Sequence, residues 1–331
     1  MVVFENKIER GKKYFFTKSV GQLAHKADIK IPVIVLAGTS DGPTLWVNGT
    51  VHGDELNGSF AAWELVRELS VEDIKGTIIV TPICNPIAFE HRDKVSAIDG
   101  MDMDTAFPGD PEGMLTQRIA YFIYKEIKRN ANALISFHTL ATPYQANPYT
   151  VSKVVPGVEE HVTNKARELA FAFGVEVNCT VDLSKATGEL PGVTSGALDI
   201  TCMNDGIPAF MAEVGHGGII EDEYVTVSKT GIKNVLAALQ MFAWKIEKPE
   251  KQYIIKKRKF LRIDQGGLIT MKVKPGDQIK SGTPLLDVHY YGEDRTPFPV
   301  KQDSFVICTR LNPVVNTGDR IAFVGTEWEV I

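Results

Sequence analysis

The chain has 331 residues, of which 44% are hydrophobic and 23% charged. That composition excludes a disordered or fibrous protein and suits two domains, or one large domain with an appendage. With 36 Lys and Arg against 41 Asp and Glu, the formal net charge is −5, and without a basic surplus neither nucleic acid nor an anionic membrane is an expected partner.

The longest apolar runs, such as Ile31–Ala37, fall far short of the roughly 20 residues of a membrane-spanning helix. Met1 to Lys13 is charged and has no apolar core, so no signal peptide is read and the expected location is the cytoplasm. Cys84, Cys179, Cys202 and Cys308 form no CxxC pair; they read as small buried hydrophobes in a reducing compartment, not as thiolate ligands.

In chain order, strands are expected at Ile31–Leu36 and Thr44–Asn48, then a helix at Leu56–Leu69. In that helix Phe60, Trp63, Leu65, Val66 and Leu69 form an apolar stripe and Glu64, Arg67 and Glu68 a wet face. Next come a strand at Thr77–Thr81, a helix at Gly113–Lys128, a strand at Ala133–His138 and a helix at Val158–Phe173. A strand at Ala209–Val214 and a helix at Thr230–Ile246 follow. Near-continuous apolar strands alternating with amphipathic helices predict an α/β fold with a mixed, mostly parallel sheet and flanking helices.

The character changes near residue 245. Lys248-Pro249-Glu250-Lys251 reads as a linker, and Lys256-Lys257-Arg258-Lys259 as a solvated strand edge that discourages sheet-to-sheet pairing. After Phe260 short β runs are broken by Gly-bearing turns. Val273-Lys274-Pro275-Gly276-Asp277-Gln278-Ile279 and Val315-Asn316-Thr317-Gly318-Asp319-Arg320-Ile321 echo each other, so a small all-β sandwich or barrel is expected. It resembles the biotinyl/lipoyl-type sandwich but has no Lys-centred attachment site; packing against the first domain or a second subunit is its expected job. The expected division is a catalytic domain over 1–245 and a β domain over 246–331.

The sharpest local signal is Asn48-Gly49-Thr50-Val51-His52-Gly53-Asp54-Glu55-Leu56-Asn57-Gly58, a strand running through a Gly-bearing turn into a helix. His-x-x-Glu there aims an imidazole and a carboxylate at one point, a donor pair zinc accepts. Alone, His52 reads equally well as a structural turn histidine. Asp54 reads as a helix-capping residue or as a partner behind a ligand. Open α/β sheets place their sites at strand carboxyl ends, where Ala133–His138 finishes in His138 and Pro208–Gly215 carries Glu213 as its lone charge. Burying an unpaired carboxylate is costly, and a nearby metal would account for Glu213, His138 and His52 together.

On His52-Gly53-Asp54-Glu55, His138 and Glu213, the chain resembles the succinylglutamate desuccinylase/aspartoacylase family, relatives of the zinc carboxypeptidases. Gly42–Gly49, Asn85-Pro86-Ile87-Ala88-Phe89, Phe107-Pro108-Gly109 and the C-terminal β module match further family landmarks. The resemblance implies one zinc ion per chain on His52, Glu55 and His138, with Glu213 as general base. It implies hydrolysis of the amide bond of a small N-acylated amine or amino-acid derivative, with zinc polarising the carbonyl and acidifying water.

The chain departs from the family where substrate is chosen. Many members carry Asp-Leu-Asn-Arg before Phe-Pro-Gly, but here the run is Asp102-Met103-Asp104-Thr105. Asp104 and Thr105 stand for the Asn and Arg that grip a substrate carboxylate, and a hydroxyl cannot replace a guanidinium clamp. Arg92 and Lys94 are the candidate cations near the other family arginine. An amine-bearing or neutral amide is therefore at least as plausible a substrate as an N-acyl α-amino acid. His216-Gly217-Gly218 is a candidate active-site loop, and Tyr144, Tyr149 and Tyr224 are candidate hydroxyl donors. Arg118 reads as a helix-surface or buried ion-pair residue, not as a substrate contact. A metallocarboxypeptidase acting on short peptides and a non-catalytic metal-binding relative are the alternatives, and homo-oligomerisation is left open.

Overall fold

A computed structural model describes residues 1–140, 144–185, 196–292 and 294–331. After a short hairpin of Val2–Val3 and Asn6–Lys7, the main strands are β1 (Lys12–Gln22), β2 (Asp28–Ala37), β3 (Ser40–Asn48), β4 (Lys75–Thr81) and β5 (Ala133–Leu140). They are followed by β6 (Tyr149–Val154), β7 (Val177–Asp182), β8 (Ala209–His216), β9 (Tyr253–Arg262), β10 (Ser304–Arg310) and β11 (Arg320–Val330). Strands β1 to β11 share one 13-stranded mixed sheet, in the order β10-β11-β9-β7-β6-β8-β5-β3-β4-β2-β1. β4, β3, β5 and β8 run parallel to one another, whereas β6 runs antiparallel to β8 and β2 antiparallel to β4. The expected α/β fold with a mostly parallel core is what the chain adopts.

The helices that cover this sheet are α1 (Asn57–Glu68), α2 (Leu115–Asn130), α3 (Glu160–Ala172) and α4 (Asp222–Ala238). One face packs Val47, Ile135 and Phe137 against Leu65 of α1, Leu169 of α3 and Ile232 of α4. The other packs Trp46 and Leu134 against Ile119 and Ile123 of α2. Because side chains alternate along a strand, Ile135 and Phe137 anchor the first face while Ser136 and His138 point to the second. Every strand expected from the sequence is present. Among the described residues no helix is long and apolar enough to cross a membrane, and all four cysteines are buried and free of disulfides.

Three expectations need correction. The last helix runs over Asp222–Ala238, not Thr230–Ile246. Asp222 and Glu223 occupy its favourable first turn, Gln240 takes a left-handed φ of 59° just beyond it, and the buried Met241 packs after that turn. Trp63 leaves the apolar stripe of α1 and is 44% exposed. The basic run lies along a strand edge as expected, since β9 pairs with β7 only over Tyr253–Ile255 and beyond that with β11 alone, but Arg258 is not solvated. A register shift between Ile255 and Arg258 turns Arg258 inward, where its guanidinium lies 5.2 Å from the Phe323 ring centre, while Lys256 and Lys257 pair with Glu329 and Glu327.

The C-terminal segment is β-rich, as expected. β9, β10 and β11 extend the main sheet, and a separate 4-stranded antiparallel sheet lies beside them. The two echoing segments make the same turn. In one, Lys274 N donates to Asp277 Oδ2 at 2.9 Å; in the other, Asn316 N donates to Asp319 Oδ2 at 3.0 Å. Gly276 and Gly318 supply the positive φ that each turn needs.

Candidate functional site

The turn after β3 is braced by the Asn85-Pro86 segment. Asn85 donates its backbone amide to Thr50 O at 3.1 Å and its side-chain amide to Val51 O at 3.0 Å. Gly53 donates to Asp93 O at 2.8 Å, and a Cβ built on it would lie 1.9 Å from the Ala88 carbonyl oxygen. Only glycine permits this approach, and it seats His52 and Glu55 at the carboxyl ends of β3 and β5.

His52 Nδ1 and His138 Nδ1 each lie 2.9 Å from a different oxygen of Glu55. All three residues are buried, and one donor atom from each lies within 4.8 Å of the others. Asp102 Oδ1 is 3.1 Å from His52 Nε2, and Ser136 Oγ is 3.1 Å from His138 Nε2. An Nε2–H donated to Asp102 leaves the Nδ1 lone pair of His52 directed towards Glu55, the arrangement that orients a ligating histidine. Burial, the largest single influence, works against the charged form of both imidazoles, but the facing carboxylates together outweigh it and raise both, Glu55 with Asp102 at His52 and Glu55 with Asp104 at His138. Burial opposes the ionised Glu55 as well, yet the two imidazoles hold its carboxyl down to about 2.

Glu213, on β8, is the register partner of His138 on β5 and of Tyr149 on β6. Burial pushes its carboxyl up to about 7; His138 opposes this rise and Glu55 adds to it. Glu213 Oε2 and the Tyr149 hydroxyl are both buried and have no hydrogen-bond partner among the described residues. Buried polar atoms are normally satisfied, so these two open groups mark a place for a ligand. Two imidazole nitrogens and a carboxylate oxygen are an ordinary zinc donor set with room for a further ligand, so the residues fit the ion.

The remaining candidates separate clearly. Asp102, to which sequence alone assigned no role, is the residue that touches His52, and it also pairs with Lys94 Nζ at 3.1 Å. Asp104 is buried beneath it and accepts from Leu198 N at 3.3 Å. Thr105 is exposed and donates its hydroxyl to Asp102 O at 2.7 Å. Arg92 is exposed and ends the short helix Pro86–His91 with a φ of 55°. Asp54 does not cap α1, whose N-cap is Leu56 without a side-chain hydrogen bond; its carbonyl instead accepts from Gly218 N. Tyr144 reaches Arg320 O in the C-terminal segment, while Tyr224 packs edge-on against His216, whose Nδ1 meets Glu221. Arg118 bonds Gly113 O from the surface of α2.

Residues 41–239 match the succinylglutamate desuccinylase/aspartoacylase catalytic domain. The chain belongs to that family. This desuccinylase/aspartoacylase-family chain is 25% identical over 304 residues to the N-alpha-acetyl-L-2,4-diaminobutyric acid deacetylase of Halomonas elongata, covering 90% of this chain and 86% of the relative. Many solved structures share its fold, among them two bacterial proteins. One is a succinylglutamate desuccinylase/aspartoacylase from Rhodobacter sphaeroides, with a TM-score of 0.85 and 22% identity over 98% of this chain and 97% of that one. The other is the product-bound ectoine utilization protein EutE from Ruegeria pomeroyi, with a TM-score of 0.84 and 22% identity over 97% and 98%. As a member of a family of deacylases, the chain is an enzyme of amide-bond hydrolysis.

Proposed function

We propose that this chain is a zinc-dependent deacylase that releases a small amine or amino-acid derivative from its N-acyl amide. The reading rests on the convergence of His52, Glu55 and His138 within 4.8 Å, with the open carboxyl of Glu213 on the adjoining strand. Those three residues would hold one zinc ion, which supplies Lewis acidity towards the amide carbonyl and towards water.

Glu213 is the proton carrier. Its oxygen without a partner accepts a proton from the attacking water and returns it to the amine nitrogen as the carbon–nitrogen bond breaks. A carboxyl raised to about 7 suits both directions of that transfer near neutral pH. Asp102 holds His52 in one tautomer, and Lys94 balances part of the charge that Asp102 carries. Tyr149, the register partner of Glu213, brings a second open polar group beside the carboxyl.

The substrate is read as an acylated amine that bears a further amino group or no charge, because Asp104 and Thr105 stand where the family's carboxylate clamp is expected. The Halomonas relative, a deacetylase of an acylated diamino acid by name, is consistent with that reading. We assign the catalytic role to residues 1–245 and a supporting role to 246–331, and place the enzyme in the cytoplasm. The test is release of amine from a panel of N-acetyl amines, Nα-acetyl-L-2,4-diaminobutyrate among them, by zinc-loaded and chelator-treated protein. Hydrolysis that requires zinc is expected. Metal-independent hydrolysis, or none on any member, would overturn the reading.

A further inference from the structure

We propose that Asn57 is a positioning residue for the deacylase reaction proposed above, fixing the strand that carries Glu213 against the turn that carries His52 and Glu55. Asn57 lies two residues beyond Glu55 at the start of α1 and is 0% exposed. Its amide nitrogen donates to the carbonyls of His216, at 3.4 Å, and Ile219, at 3.3 Å, and its oxygen accepts from Glu221 N at 2.8 Å. All three partners lie on the segment that leaves β8 just after Glu213.

That segment is shaped to receive the side chain. Gly215 has a φ of +85°, and a Cβ built there would lie 2.3 Å from Asn57 Nδ2, so both the conformation and the space require glycine. β8 has a register shift at this point, three residues from Glu213 to His216 spanning two of β5 from His138 to Leu140. A bulge of this kind lets a strand leave its ladder, and it hands the chain to Asn57. Gly218 N adds a second tie, donating at 2.7 Å to the carbonyl of Asp54 within the metal-ligand turn.

The result is a short bridge between two parts of the site that reach it from far-apart stretches of sequence. Through this bridge the end of β8 sits at one distance from the donor cluster and cannot drift independently of it. Reactions that depend on such placement lose about 100-fold for a misplacement near 1 Å. A cap that served only α4 would cost stability and leave turnover untouched.

The full-length, zinc-loaded protein decides the matter with two variants, Asn57→Asp and Asn57→Ser. The first is isosteric and keeps the acceptor for Glu221 N, but it replaces the donation to His216 and Ile219 with a charged carboxylate oxygen; the second is neutral, removes all three bonds and separates loss of positioning from added charge. Expected for both is a 10- to 100-fold fall in kcat, with KM and zinc content within about twofold of the parent. Amide hydrogen exchange should become faster over residues 215–221 alone. An unchanged kcat, a loss that follows zinc content, or unaltered exchange over 215–221 would overturn the proposal. If the parent cleaves no acyl amine, the deacylase reading fails on its own, and the exchange measurement still decides whether Asn57 holds the strand end.

Discussion

Glu213 and His138 are register partners on adjacent parallel strands, so a carboxyl and an imidazole leave the same face of the sheet side by side. Strand pairing thereby sets the separation between a proton carrier and a ligand, with no flexible loop between them. His52 and Glu55 are brought to the same place by the next strand over, through a turn that backbone contacts hold from behind.

The Asp102 contact makes the first prediction. Asp102→Asn removes the charge that orients His52 and leaves the fold in place. Partners of this kind typically account for 10–100-fold in metal affinity. Competition against a chromophoric chelator should show zinc binding weakened by about that factor, and equal affinities would remove Asp102 from the site.

Glu213→Gln keeps the volume of the side chain and abolishes its basicity. General-base catalysis contributes about 10²–10⁴ in rate, so kcat on the best acyl amine should fall at least about 100-fold. Zinc content by elemental analysis should not change. Retained activity would assign the proton transfer to another group.

The same pair of proteins gives a pH signature without metal. The raised Glu213 carboxyl, at about 7 when folded, compares with about 4.3 in an unfolded chain. The native state therefore holds this proton more tightly than the unfolded state. Its contribution to stability is complete below about pH 4.3 and is lost as pH rises towards 7. Glutamine does not titrate, so in the metal-free form the Tm of wild type should fall relative to Glu213→Gln across that interval and level off above it. Parallel melting curves from pH 4 to 8 would contradict the assignment.

Deep in the same layer, Lys153 Nζ and Asp199 Oδ1 form an ion pair at 2.7 Å, with side-chain exposures of 0% and 1%. Breaking such a pair from one side costs about 3–5 kcal/mol because the other charge stays buried. Lys153→Met should therefore destabilise the protein by about that much in denaturant unfolding, and Lys153→Met with Asp199→Leu should recover most of the loss. Equal stability of the single and double variants would show that the charge itself is not the cause.

Much of the sheet could be read from the chain because its central strands are buried on both faces and therefore nearly continuous in apolar residues, as at Ala133–Phe137. His138 and Glu213 stood out for the same reason, as polar interruptions in such runs. Asp102 did not, because its contact with His52 spans 50 residues and no spacing rule links the two. Arg258 was misread because one register shift changes which side of a strand faces inward, and periodicity does not reveal the shift. The end of α4 was missed because Met241 and Phe242 continue the apolar pattern after the backbone has turned away.

The parallel pairing of β9 with β7, from Val177 opposite Tyr253 to Cys179 opposite Ile255, bears on how the polypeptide can be handled. A fragment stopped before Tyr253 would leave the amides and carbonyls of β7 bare along one side, an invitation to intermolecular strand addition. Expression of the first 245 residues alone should yield aggregates, and the C-terminal strands then serve as the seal over that edge of β7.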